Sequence, residues 1–278
     1  APHVMESTRR CGILLHPTSL PGPYGSGDFG PDAYYFADWL ASARQSCWQM
    51  LPLCDIGTGN SPYMSPSAFA GNIFLIGLDA LCNAGWLKKE ELVPDNAFQR
   101  YRVHYPAAIA FRMSRLKLAA DRFFGTTETT THHTFELFCE RSAFWLDTYA
   151  LFRTLSDSYG ATWQQWPEAF ARKNPAALAG FAEKHAGDIR FWKFCQWCFD
   201  EQWQALRTYA HSKGIDIIGD IPIFVSLNSA DVWAHPELFD LDSSGYPRTV
   251  AGVPPDRFSD SGQHWGNPLY DWEQHART

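Results

Sequence analysis

The 278-residue sequence has no apolar run approaching the roughly 18 residues that a membrane span requires, and no charged segment followed by an apolar one near its start. Neither a membrane partner nor a secretory signal is expected, and the chain reads as soluble. Positive charge is also short. Lys and Arg number 23 against 30 Asp and Glu, a formal charge of −7, with no basic stripe. Such a surface does not release counterions from a phosphate backbone, so nucleic acid is not an expected partner. The seven cysteines are odd in number and scattered from Cys11 to Cys198, which argues against a disulfide framework and suits a reducing cytoplasm. There is no Gly-rich phosphate loop, no G-x-S-x-G elbow, no internal repeat and no low-complexity segment. Cys195 and Cys198 lie in a helical pattern without a second pair and read as core thiols. The adjacent His132 and His133 point to different helix faces. No metal site is expected.

Hydrophobic residues, at 45%, and charged ones, at 19%, exclude a disordered chain. Aromatic residues reach 15%, including 12 Trp. Most of these belong in a core, but flat aromatic faces are also what the C–H faces of sugar rings stack against.

Along the chain, Gly12–His16 reads as a short buried strand, followed by an irregular Pro- and Gly-rich loop over 18–30. Pro31 suits a first helical position, and Ala33, Phe36, Ala37 and Leu40 form one stripe. Cys47–Leu53 is a second strand, so the opening is strand, helix, strand, the unit of a parallel sheet. A long loop, 54–72, follows. Helical spacing then dominates Pro106–Phe124, Phe135–Tyr159 and Asp188–Tyr209, with Phe191, Phe194, Cys198, Ala205 and Tyr209 on one face and Gly214 as the stop. A third strand is expected over Ile215–Ile223, and 226–278 again reads as loop. Three barrel-type strands with about 160 residues between the second and third fall short of the eight that a (β/α)₈ barrel needs.

Three places could carry chemistry. Asp220 follows a buried run at the C-terminal end of a strand, where barrel enzymes project carboxylates; a turn-capping role is the plainer alternative. The loop Gly57–Asn72 offers Tyr63, with a ring face and a hydroxyl, or is simply a well-packed surface loop. Gly252–Pro268 gathers Asp256, Phe258, Gln263, Trp265 and Asn267 on a segment with no regular period, suited to a lid over a polar, ring-shaped ligand, its Trp and Phe needing burial.

These stretches resemble glycoside hydrolase family 77, the 4-α-glucanotransferases. The residues that carry the resemblance are GILLHPTSLPGPYGSGDFGP (12–31), SPYMSPSAFAGN (61–72), GDIPIFVSLNSADVWAHPELF (219–239) and VAGVPPDRFSDSGQHWGNPLYDW (250–272), four motifs in order. The resemblance implies an α/β fold: the first three strands of a (β/α)₈ TIM barrel, with a large helical insertion between the second and third. Residues 1–53 would start the barrel, 54–212 hold the active-site loop and the helical subdomain, and 213–278 supply strand 3 and a cleft-covering loop. It implies retaining transfer of α-1,4-glucan segments between maltooligosaccharides, with a maltooligosaccharide or starch-derived glucan as partner and no cofactor. That chemistry takes two carboxyl groups roughly 5 Å apart. The family's nucleophile Asp, acid/base Glu and transition-state-stabilising Asp are expected beyond Thr278, leaving no catalytic residue within this chain. In the family's pattern Asp220 matches an aspartate on the donor glucose, Tyr63 a substrate-contacting tyrosine, and Asp256, Phe258, Trp265 and Asn267 a mobile loop over the cleft. Thr58 stands where some members carry a tyrosine. The substrate-binding candidates are therefore Tyr63, Asp220, Asp256, Phe258, Gln263, Trp265 and Asn267. The rival readings are a non-catalytic α-glucan-binding module and a structural half-barrel that pairs with a separate C-terminal half.

Overall fold

The computed structural model describes residues 9–99, 101–127, 129–160 and 162–277. In chain order the elements are β1 (Gly12–Leu14), α1 (Pro31–Ser42), β2 (Cys47–Gln49), α2 (Leu78–Asn83), α3 (Tyr105–Gly125), α4 (Thr129–Tyr159), α5 (Glu168–Ala171), α6 (Pro175–Lys184), α7 (Ala186–Ser212), β3 (Asp216–Ile218), α8 (Ala230–Ala234), β4 (Val250–Val253), β5 (Gln263–Pro268) and α9 (Trp272–His275). They fall into two compact units. The first comprises Ala1–Leu51, Phe74–Ala119 and Phe199–Asp220; the second comprises Pro52–Ile73, Ala120–Cys198 and Ile221–Thr278.

The first unit holds a parallel sheet in the order β1-β2-β3, with Gly12, Cys47 and Asp216 in one register row and Leu14, Gln49 and Ile218 in another. The strands stop before the expected His16, Leu53 and Ile223. Past their C-terminal ends, Leu15 N–H to Gln49 O and Met50 N–H to Ile218 O carry the ladder one residue further. Pro17, Pro52 and Pro222 lack the N–H that a longer ladder needs, and Ile221 and Ile223, expected in a buried strand, are 77% and 72% exposed. α1 forms as expected from Pro31, burying Ala33, Ala37 and Leu40, while Phe36 meets the buried Trp48 edge-on at 4.9 Å. Gly214, at φ +76°, ends α7 in the left-handed region open to glycine. On α7 it is Leu206, not Ala205, that is buried.

A buried guanidinium braces this unit. Arg112, 1% exposed, donates to the carbonyls of Tyr24, Ile76 and Ser26 and to Asp28 Oδ2 at 2.8 Å. Burial raises the Asp28 pKa while Arg112 opposes the rise. The irregular 18–30 loop is thus held by one side chain with several donors rather than by regular structure.

The second unit is helical, with an aromatic core. Phe123, Phe135, Phe194 and Trp197 meet at centroid distances between 5.1 and 6.1 Å. Of the 12 Trp in the whole chain, Trp48, Trp163, Trp166, Trp192, Trp197 and Trp233 are buried, which accounts for half of that composition as core. Cys195 and Cys198 are buried, and no disulfide joins any of the seven cysteines.

One expectation about this unit needs correction. The Gly252–Pro268 segment, expected as loop, is a hairpin: β4 and β5 pair antiparallel, with Gly252 opposite His264 and Val253 opposite Gln263, and an irregularity between Val250 and Gly252. Both strands are largely exposed, so no alternation of apolar and polar residues marks them; cross-strand hydrogen bonds between distant residues define them instead.

Candidate functional site

Within the second unit the chain that leaves β2 forms the 54–72 loop, and its base is closed by backbone bonds from Asp55 N–H to Ala70 O and from Asn72 N–H to Leu53 O. Asp55, 2% exposed, accepts a hydrogen bond from Tyr149 Oη at 2.6 Å, from the Ile56 N–H at 2.9 Å and from Arg153 Nη1 at 3.3 Å. Gln196 grips the Gly71 peptide from both sides, accepting its N–H at 2.8 Å and donating to its carbonyl at 2.9 Å. Ser67 Oγ accepts from the N–H groups of Phe69 and Ala70, and Asp231 Oδ2 accepts from the Ala68 N–H at 2.9 Å. Burial pushes the Asp231 carboxyl pKa upward against that backbone bond. The loop is therefore rigid at its base, as its dense Ser, Gly and Asn content allows.

At the other end of this loop, Thr58, Ser61, Tyr63 and Met64 face Pro222, Ile223 and Phe224 together with Trp265 and Asn267 across a cavity of about 640 Å³. The volume falls in the range of small-molecule sites, roughly 300–1,000 Å³. Tyr63 is 43% and Trp265 41% exposed, so both rings are available to a ligand. The Trp265 indole N–H donates to Gln263 Oε1 at 3.1 Å, which fixes the ring plane. Asn267, buried, donates through Nδ2 to Val225 O at 2.9 Å, tying β5 to the chain beside Phe224.

Of the sequence candidates, Tyr63, Trp265 and Asn267 share this cavity, and Gln263 stands behind the indole. Asp256 lies at the hairpin tip, where its Oδ1 accepts from the N–H groups of Phe258 and Ser259 at 2.8 and 3.0 Å. Phe258 is 76% exposed with the Arg257 guanidinium 4.6 Å from its ring centroid. The expectation that this segment's Trp and Phe are buried is thus corrected: a two-stranded hairpin has too little behind it to cover them. Asp220 belongs to the first unit, exposed and two residues beyond β3. Sequence reading did not single out Ser61, Met64, Ile223 or Phe224; the signal available was the apolar IPIF run beside a proline, which looked like strand interior. Among the described residues no group of three or more His, Cys, Asp or Glu is placed to hold a metal, and no helix is long and apolar enough to cross a membrane.

A family model described as 4-alpha-glucanotransferase, glycoside hydrolase family 77, matches residues 15–278. The chain is 46% identical to the 4-alpha-glucanotransferase of Thermus thermophilus over 270 residues, 97% of this chain and 53% of that protein. It is 45% identical to the 4-alpha-glucanotransferase of a Synechocystis species over 268 residues, 95% of this chain and 53% of that protein. The solved structure of amylomaltase from Streptococcus agalactiae in complex with acarbose superimposes with a TM-score of 0.91 at 39% identity, covering 97% of this chain and 55% of that one. The chain spans about half the length of the curated relatives it matches. With the family's model matched over nearly its whole length, this chain belongs to glycoside hydrolase family 77, the 4-alpha-glucanotransferases.

Proposed function

We propose that the Tyr63–Trp265 cavity holds an α-1,4-glucan and that this chain forms a substrate-binding wall of a retaining 4-α-glucanotransferase, which moves glucan segments between maltooligosaccharides. The observation that carries the reading is the convergence of Tyr63, Trp265 and Asn267, from segments some 200 residues apart, on one cavity in a chain of this family. Two half-exposed rings offer faces to sugar C–H surfaces, while Thr58, Ser61 and the Tyr63 hydroxyl offer hydrogen bonds to sugar hydroxyls. The acarbose in the related amylomaltase supports an oligosaccharide as the occupant.

In this reading the β4–β5 hairpin, with Asp256, Phe258 and Gln263, covers the bound chain, and Asp220, on the first unit, is a separate candidate for contact with a glucose ring. The lining groups are hydroxyl, amide, aromatic and aliphatic, so they bind and orient. The nucleophile and the acid/base carboxyl come from the half of the family's length that this chain does not span; retaining chemistry needs them roughly 5 Å apart and needs no cofactor. The open edges of β1 and β3, with Leu14 and Ile218 exposed on one uncovered face of the sheet, support further strands beside them, as in a partial barrel carried by 1–53 and 213–278 with a helical insertion over 54–212. Seven cysteines without a disulfide suit a cytoplasmic setting.

The test is disproportionation. Full-length protein given maltotriose should yield glucose and longer oligomers, and residues 1–278 alone should bind maltoheptaose without converting it. Binding without transfer by the full-length protein would refute the enzymatic reading, and transfer by 1–278 alone would refute the placement of the carboxylates.

A further inference from the structure

The second unit contains another cavity, of about 740 Å³, between the turn that carries Trp163 and the turn Asp242–Tyr246. It shares no lining residue with the first. The second turn is tightly set. Asp242 Oδ1 accepts from the N–H groups of Ser244 and Tyr246 at 2.8 and 3.0 Å. Gly245 has φ +84°, and a Cβ there would sit 2.4 Å from the Trp163 ring, so only glycine lets the turn lie against the indole. The indole is itself held, donating to Leu227 O at 3.0 Å. Ser243, Ser244 and the 41%-exposed Tyr246 line the cavity beside these contacts.

The facing wall carries a buried acceptor in want of a donor. Gln164 Nε2 donates to Gly245 O at 3.0 Å, whereas its Oε1 is buried with no hydrogen-bond partner among the described residues. Leaving such an atom unpaired costs about 1–3 kcal/mol. Glu168 and Arg172 complete that side, so acceptors, donors and both signs of charge line one space. An anionic ligand would call for an excess of cations, and a lipid tail for an apolar lining. A neutral polyhydroxylated ring fits, with its hydroxyls on alternating donors and acceptors and its C–H face on an aromatic ring.

We propose that this cavity is a second saccharide site, distinct from the Tyr63–Trp265 cavity, which takes a neutral oligosaccharide with one ring stacked on Tyr246 and its hydroxyls on the polar groups around it. The assignment rests on this cavity's own lining; only the probe is borrowed from the function proposed above.

The experiment titrates full-length, isotope-labelled protein with maltotetraose and follows the Trp265 indole N–H together with the backbone amides of Ser243, Ser244 and Tyr246. The expected result is saturable shifts at both places with separate affinities. Tyr246→Ala should weaken the 243–246 response about ten-fold while leaving the Trp265 response unchanged. Ser243→Trp, which fills the cavity without removing a buried group, should abolish the first response and spare the second, covering the case in which Tyr246→Ala disturbs the fold. Amides at 243–246 that stay still while Trp265 saturates would overturn the proposal. Shifts confined to 243–246 would support it and instead refute the reading of the first cavity.

Discussion

Asp55→Ala removes the acceptor at the base of the loop that carries Tyr63. In the native protein this carboxylate takes the Tyr149 hydroxyl at 2.6 Å and Arg153 Nη1 at 3.3 Å, and both Asp55 and Tyr149 are buried. Burial, then the neighbouring Asp55 charge, holds the Tyr149 pKa well above its ordinary value, so its hydroxyl stays a donor at any working pH. Truncation strands that donor, at about 1–3 kcal/mol, and unpairs a mostly buried ion pair, for which about 3–5 kcal/mol is typical. The two losses overlap. Arg153 keeps 23% side-chain exposure and lies 4.3 Å from the Trp192 ring centroid, which softens its loss. The net is about 3 kcal/mol, or about 6–12 °C in Tm for a protein of this size. Asp55→Asn keeps an acceptor for Tyr149 and loses only the counter-charge, so it should cost about half as much. Melting by circular dichroism measures both variants, and maltoheptaose titration should show weaker binding by Asp55→Ala as the loop loosens. An Asp55→Ala protein that melts within 2 °C of wild type by about the same two-state transition and binds glucan equally well would refute the bracing role.

Three further outcomes are expected. Trp265→Ala should weaken maltoheptaose binding about ten-fold with little change in Tm, since the ring is 41% exposed; equal affinity by calorimetry would show that the ring carries no ligand. Arg112→Met should cost about 3–5 kcal/mol in urea denaturation by leaving Asp28 buried without its partner, with part regained in the double variant with Asp28→Asn; a loss under about 1 kcal/mol would contradict the buried hub. His16, its pKa lowered by burial to about 4 from an ordinary 6.5, should make folding acid-sensitive. Between those values the unfolded chain holds a proton that the folded one lacks. Stability is therefore complete above pH 6.5 and falls by about 2 kcal/mol toward pH 4, allowing for solvent at the ring, and His16→Gln should flatten that slope.

Much of this protein was legible in its sequence because the relevant forces are local. The α1 stripe from Ala33 to Leu40, the proline at its start and the left-handed stop at Gly214 follow from helix periodicity and backbone sterics, which act within a few residues. Family membership was equally legible, since the four motifs are contiguous. The loop prolines at 17, 52 and 222 were visible, but where each strand stops was not, because ladder length depends on which partner carbonyls lie opposite. The β4–β5 hairpin was invisible for the same reason: largely exposed, its strands have no hydrophobic period, and pairing across the turn creates them. Only the tertiary structure could place Trp265 and Asn267 against Tyr63, or set the Asp242–Tyr246 turn against Trp163. Chain neighbours set which helices form, whereas contacts between residues far apart in sequence set where rings and carbonyls meet, and the binding surfaces are made of the latter.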